Sequence, residues 1–379
     1  MTVIYVSDFD LRGSGYMNIA VSLCTQIAAR GYDVIALGLG YAGQEHDYPF
    51  RIVPAEFHEL VPMVRQLQAS SVSIDGLVVA LDIPLQREIL RRLDAPGPLP
   101  YIGLFPLEAG PLCGPWAVDL LRMDVRLVMS RFGQGELAQA GVESTFIPIG
   151  VDTASWRPPA PDERAAVRQG LGIEDGTFAV LTVADNQERK NLSRALEIFA
   201  GFAAEHKAQY MLVTRPRSSV GWELEDYAVE LGVFDRYMQW ERGIPFKSLW
   251  SLFAAADCFL LTSKAEGLAM PVLEAMACRL PVVGTGCTAI AEHLDDRRGL
   301  LIRPDYVMRD PWGNSRRYFA GLDQGITALN QVANLDGATR AQMLDAAEVY
   351  VFQRTWEQAA DVLVAAIGQA RAMKETSNG

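Results

Sequence analysis

Cysteine, lysine and histidine are scarce in this chain of 379 residues, and no apolar run is long. The five cysteines (Cys24, Cys113, Cys258, Cys278 and Cys287) are odd in number, widely spaced and without a CxxC pair. That suits reduced thiols in a cytosolic protein better than a disulfide framework. Only five lysines occur, at positions 190, 207, 247, 264 and 374, and 34 basic residues face 46 acidic ones, a formal charge of −12. So acidic a surface argues against nucleic-acid phosphates or anionic headgroups as the main partner. No stretch reaches the roughly 20 apolar residues that span a bilayer, and residues 1–8 lack the basic flank and cleavage site of a signal peptide. A soluble, cytoplasmic protein is expected, with peripheral membrane contact left open.

Hydrophobic residues make up 50% of the chain, aromatics 9% and charged residues 21%, which is enough to fill two cores and excludes disorder. β-rich runs at 3–7, 34–37, 77–81, 101–105, 126–129 and 145–147 alternate with helical periodicity near 18–30, 57–70, 84–93, 114–122 and 131–140. The rhythm breaks where prolines crowd residues 148–161. It restarts with strands at 178–184, 210–213, 237–240, 258–261 and 281–284, separated by helices near 193–205, 222–231, 245–255 and 271–278; the region 318–373 reads as helical. The expectation is an α/β fold of two doubly wound, Rossmann-like domains: 1–150, 151–350, and a closing helix at 351–373 around Trp356. Ligands of such sheets bind at the carboxyl ends of the strands, here in a cleft between the domains.

Three segments could carry chemistry there. Gly13-Ser14-Gly15 follows the first strand, but Asn18 stands where a dinucleotide fingerprint needs its third glycine, so only close backbone approach to a ligand is implied. Asp185-Asn186-Gln187-Glu188-Arg189-Lys190-Asn191 follows a strand of the second domain, and its Arg189 and Lys190 suit a diphosphate without a metal. Residues 263–278 place Glu266 in a glycine turn and Glu274 on the following helix. Two helical turns separate these carboxylates by about 11 Å, too far for an acid/base pair on one bond, which needs roughly 5–10 Å. They suit two parts of one extended ligand, with the amides of Gly267, Leu268 and Ala269 facing an anion between them.

With these motifs in place, the chain resembles the retaining GT-B glycosyltransferases of the GT4 family over nearly its whole length. The E-x7-E block EGLAMPVLEAMAC running into Pro281-Val282-Val283-Gly284 is the specific signal. The early glycine turn, Ile147-Pro148-Ile149-Gly150-Val151-Asp152, the Arg189–Lys190 loop and the helix around Trp356 are individually weaker parts of the same pattern. The resemblance implies a GT-B fold, with the closing helix crossing back to the first domain, and transfer from a UDP-, GDP- or ADP-sugar to a glycan, lipid-linked or small-molecule acceptor. No cofactor or metal would be required. It gives Glu274 the ribose hydroxyls, Glu266 the donor sugar, Gly267 to Ala269 the sugar and diphosphate, and Lys190 with Arg189 the diphosphate. Asn186 belongs to the phosphate loop, Gly13, Ser14 and Gly15 approach from the other domain, and the base lies near Trp240–Arg242.

Several positions depart from the family pattern. Asp185 stands where an arginine is usual, Ala269 and Arg279 where glycines are usual, and no first-domain histidine lies at a suitable strand end. Glu108, after the strand 101–105, takes that place as the candidate for acceptor or sugar. Asp8-Phe9-Asp10 spells a metal-binding DxD, but one that belongs to a different glycosyltransferase fold. Two alternatives remain open: a catalytically silent nucleotide-sugar-binding protein, and a nucleotide-sugar epimerase of the same fold.

Overall fold

A computed structural model describes residues 1–10, 15–70, 73–93, 97–215 and 221–377. The chain divides into two compact units, the first comprising Met1–Gly150, Pro311–Ser315 and Arg354–Gly379, the second Val151–Asp310 and Arg316–Gln353.

The first unit contains β1 (Thr2–Asp8), α1 (Gly15–Ala29), β2 (Asp33–Leu39), β3 (Arg51–Ala55), α2 (Leu60–Ala69), β4 (Ile74–Ala80) and α3 (Ile83–Leu93). It continues with β5 (Tyr101–Phe105), α4 (Gly114–Leu120), β6 (Val125–Val128), α5 (Arg131–Gln139) and β7 (Thr145–Phe146). The second unit has α6 (Pro161–Gly170), β8 (Phe178–Val183), α7 (Leu192–Ala203), β9 (Ala208–Thr214), α8 (Leu224–Glu230), β10 (Tyr237–Glu241) and α9 (Phe246–Ala255). It continues with β11 (Cys258–Leu261), α10 (Met270–Ala277), β12 (Val282–Thr285), α11 (Thr288–His293), β13 (Leu300–Ile302), β14 (Pro304–Arg309) and β15 (Arg316–Ala320). Last come α12 (Leu322–Ala333), α13 (Gly337–Phe352) and α14 (Trp356–Ser377).

Both main sheets are parallel, in the orders β3-β2-β1-β4-β5-β6-β7 and β10-β9-β8-β11-β12-β13. Each direction reverses once, at β1/β4 and at β8/β11, the switch points where a doubly wound sheet opens a ligand crevice at its carboxyl edge. The central strands are apolar throughout because helices cover both faces; Val3, Ile4, Tyr5 and Val6 are all buried, as are Ala179, Val180 and Leu181.

Several elements differ from the sequence reading. β3 and β13 are edge strands, and β14 and β15 form a separate antiparallel hairpin. Residues 318–320, expected to be helical, thus belong to strand β15. Helix α6 starts at Pro161 inside the proline-rich break, since a first-turn proline lacks only an N–H that no helix uses there. Helix α14 runs from 356 to 377, four residues beyond the expected end. It buries Ala359, Ala360, Leu363, Ala366, Ile367 and Ala370, spaced as one helical face, against α1 and β4–β6 of the first unit. Gly150 permits the close approach: a Cβ there would lie 2.7 Å from the Trp356 nitrogen.

Candidate functional site

Three loops leave the carboxyl edge of the second sheet after β8, β11 and β12, and hydrogen bonds lace them together. After β8, residues 188–190 form a 3-10 turn and Asn191 takes a left-handed conformation at φ 55° before α7. The Thr262 hydroxyl donates to the Asn191 carbonyl at 2.9 Å, and the Lys264 amide donates to the Arg189 carbonyl at 2.8 Å. The Glu266 amide donates to Thr288 Oγ1 at 2.9 Å, and the Ala289 amide donates back to the Glu266 carbonyl at 3.2 Å.

These loops place Glu266 between two cations. Lys190 Nζ lies 2.6 Å from Oε1 and an Arg189 guanidinium nitrogen 3.1 Å from Oε2, with Arg189 also donating to the Ala265 carbonyl at 2.6 Å. Burial alone would raise the Glu266 pKa, but the Lys190 and Arg189 charges override it and hold the carboxyl at about 2. Glu274, one side of α10, is equally buried but finds no hydrogen bond or ion pair among the described residues. Burial pushes it up to about 7, against the opposing charge of Arg242. The two glutamates are therefore driven apart: one is permanently ionised and the other is poised near neutrality.

Between them, Ala269 adopts φ 60° as the residue that caps α10. The N–H groups of Gly267, Leu268 and Ala269 find no acceptor among the described residues. Orphan donors at a helix start suit an anion. His293 pins this loop, its Nε2 lying 2.5 Å from the Leu268 carbonyl and its Nδ1 2.9 Å from the Tyr350 hydroxyl.

Asp185 does not stand as an unbalanced negative charge. It pairs with Arg242 at 2.5 Å and with Arg215 at 3.4 Å. Lys264 pairs with Glu188, and its ammonium sits 4.3 Å over the Phe319 ring; burial, aided by Arg317, lowers its pKa to about 8. With Arg215 after β9 and Arg242 after β10, the loops gather five cations against three ion-paired carboxylates, a local basic excess in an acidic chain.

Arg189, Lys190, Glu266 and the 267–269 turn come together in this way, with Glu274 on the helix that follows. Asn186 is engaged by the segment before α8, donating to the Trp222 carbonyl at 2.7 Å and accepting from the Trp222 amide at 2.9 Å. Trp240 stands half-buried on edge strand β10, and no polar contact among the described residues ties it to Glu266. In the first unit, Gly15 opens α1 and Glu108 is half-buried in the loop after β5, while Gly13 and Ser14 lie outside the described residues. Thr288, His293, Arg215 and Lys264 are part of the site without having been singled out from the sequence. Thr288 and His293 act through long-range contacts that no local motif encodes, whereas the lone lysine before Glu266 was a usable signal. Burial raises the Cys287 thiol to about 12 and that of Cys278 higher still, so neither is a reactive thiolate near neutrality. No cluster of three or more His, Cys, Asp or Glu groups suited to a metal occurs among the described residues. No helix among them is long and apolar enough to cross a membrane.

Residues 177–310 match the family model described as glycosyl transferases group 1. The chain is 29% identical over 159 residues to an O-antigen chain mannosyltransferase B of Escherichia coli, covering 41% of this chain and 40% of that protein. It is 25% identical over 240 residues to a D-inositol 3-phosphate glycosyltransferase of Acidothermus cellulolyticus, covering 61% of this chain and 49% of the relative. The chain thus spans less than half the length of these curated relatives. Sucrose-phosphate synthase from Thermosynechococcus elongatus superposes with a TM-score of 0.80 over 98% of this chain and 100% of its own, at 17% identity. Anabaena HepE in complex with UDP-glucose superposes at 0.71 over 96% and 100%, also at 17% identity. The fold is GT-B, with two Rossmann-like units built on parallel sheets of seven and six strands.

Proposed function

We propose that the chain is a retaining glycosyltransferase that moves a sugar from a nucleotide-diphosphate donor to an acceptor and requires no metal. One observation carries the reading: Lys190 and Arg189 converge on Glu266 beside the orphan amides of residues 267–269, at the switch point of the second sheet. A diphosphate entering there exchanges the Glu266 carboxylate for its own oxygens as partner to Lys190, freeing Glu266 to accept from sugar hydroxyls. Glu274, ionised, accepts from the ribose hydroxyls, the role the family resemblance implies for it; Anabaena HepE, a neighbour of the same fold, binds UDP-glucose.

The chemistry follows from charge. As the bond from anomeric carbon to phosphate oxygen lengthens, negative charge grows on the diphosphate, and preorganised cations and amides stabilise that state more than the ground state. The departing phosphate oxygen takes the acceptor proton on the face where the new bond forms, so configuration is retained and no protein nucleophile is needed. Glu108 is the first-unit candidate to hold acceptor or sugar.

A thermal-shift panel of UDP-, GDP- and ADP-sugars without added metal tests the reading. One donor should stabilise the wild type by about 2.7 kcal/mol at 100 times its dissociation constant. Lys190→Ala should lose most of that gain, and wild type should slowly release free sugar from the same donor. Stabilisation without any release would mark a silent binder; no stabilisation by any donor would end the proposal.

A further inference from the structure

The peptide between Leu268 and Ala269 lies within the orphan-amide turn, and its orientation decides what that turn offers a ligand. In a planar trans peptide the carbonyl and the N–H point in opposite directions. Here the Leu268 carbonyl accepts from His293 Nε2 at 2.5 Å, so the Ala269 N–H is turned away from His293. The Ala269 carbonyl is taken up by the Val272 amide at 3.0 Å in the first turn of α10. Ala269 itself holds φ 60°, a conformation that alanine adopts only under constraint. Rotating this one peptide by half a turn would return Ala269 to ordinary negative-φ backbone. It would also present a carbonyl oxygen where the N–H now stands.

His293 opposes that rotation, and its own surroundings leave it little freedom. It is fully buried at the end of α11. A carbonyl only accepts, so Nε2 carries the ring proton toward Leu268. In the neutral imidazole Nδ1 then accepts from the Tyr350 hydroxyl, 2.9 Å away on α13. Tyr350 is held in turn by Arg298, whose guanidinium lies 4.1 Å over its ring. The same guanidinium donates to the His293 carbonyl at 2.8 Å and to the Glu292 carbonyl at 3.0 Å. Ring, tautomer and helix end are thus fixed together. We propose that His293 is a positioning residue: it locks the 268–269 peptide with its carbonyl inward, so that the turn donates an N–H to a diphosphate instead of opposing it with a carbonyl oxygen. Naming the anion as the diphosphate of a sugar donor rests on the transferase reading; the locked peptide does not.

Calorimetry of the full chain with UDP, GDP and ADP, and with the matching nucleosides, tests this. For the nucleotide that binds wild type, His293→Phe should weaken the diphosphate about tenfold and leave the nucleoside within about twofold. His293→Gln, whose side-chain amide places an N–H near the position of Nε2, should recover most of that loss. With the matching nucleotide sugar, His293→Phe should lose more in turnover than in affinity, because the aimed amide serves charge that grows on the leaving diphosphate. Tyr350→Phe keeps the core filled but frees the ring to take the other tautomer. It should show the same selective loss at about threefold, and it carries the test if the His293 variants do not fold. The role is overturned if the diphosphate loss is absent, if nucleoside and diphosphate weaken equally, or if His293→Gln restores nothing. A nucleoside diphosphate bound in a His293-dependent way, with no sugar released from any donor, would sink the transferase reading alone. Sugar release by wild type that every variant matches would sink the role of His293 alone, and failure of all three nucleotides to bind wild type would end both.

Discussion

Glu266 and Glu274 share a motif but answer pH in opposite senses. The Glu274 carboxyl rises from 4.5 to about 7 in the folded chain. Between those values the folded state keeps a proton that the unfolded state gives up, so stability falls as pH rises through that window and stays lowered above it. At about 1.4 kcal/mol per unit the penalty is on the order of 3 kcal/mol. Glu274→Gln should therefore raise the melting temperature of the ligand-free protein at pH 8, with most of the gain gone near pH 5. Glu266, held at about 2, stabilises the fold above 4.5 and loses that contribution only as pH falls toward 2. Glu266→Gln should cost roughly 3 kcal/mol at pH 8, because Lys190 and Arg189 lose their shared partner. Paired melts at the two pH values check both; a Glu274→Gln gain that ignores pH would refute the split. The carboxylates and the basic loop are legible in sequence because they are local motifs. What was not legible is that Asp185 is wrapped by Arg215 and Arg242. Ala269, likewise, accepts a left-handed turn despite its Cβ. Partners 30 to 57 positions away leave no trace in spacing.

The end of α10 shows how an element tolerates an unfavourable residue. Arg279 follows the helix at φ 54°, where a non-glycine residue costs about 1 kcal/mol or more. Its guanidinium reaches α13, at 2.6 Å from Asp345 and 2.6 Å from Glu348, which offsets the strain. Arg279→Gly loses those pairs but relieves the backbone, and should stay within about 0.5 kcal/mol of wild type. Arg279→Ala loses the pairs and keeps the strain, and should destabilise by about 1–2 kcal/mol in urea titrations. Equal effects of the two would show that the backbone is not strained. Central strands such as β1, β4 and β8 could be read from sequence because burial on both faces demands unbroken apolar runs. The strand β3, Arg-Ile-Val-Pro-Ala at a sheet edge, and the exposed strand β14 carry no such run, so they escaped notice.

At the scale of the molecule, the first unit is composed of three separate pieces of chain. The last piece is secured along its length by ion pairs of Arg30 with Asp361, Arg371 with Asp75 and Lys374 with Asp124. A fragment of residues 1–150 should therefore lack a cooperative melting transition and bind ANS. Adding a peptide of residues 354–377 should restore near-UV dichroism; a fragment that melts cooperatively alone would contradict this. The alternation that announces two units was plain in the sequence, but the return of residues 311–315 to the first unit was not, since neither composition nor periodicity marks it. The placement of α14 also bears on biosynthesis. The ribosome emits the seven-stranded sheet of the first unit first, yet its final covering helix appears about 200 codons later, on the order of 10–40 s at 5–20 residues per second. Throughout that interval the nascent polypeptide carries a bare greasy flank, so holdase chaperones, truncating nonsense mutations and C-terminal fusion tags should all affect soluble yield more strongly than the fold's stability would suggest.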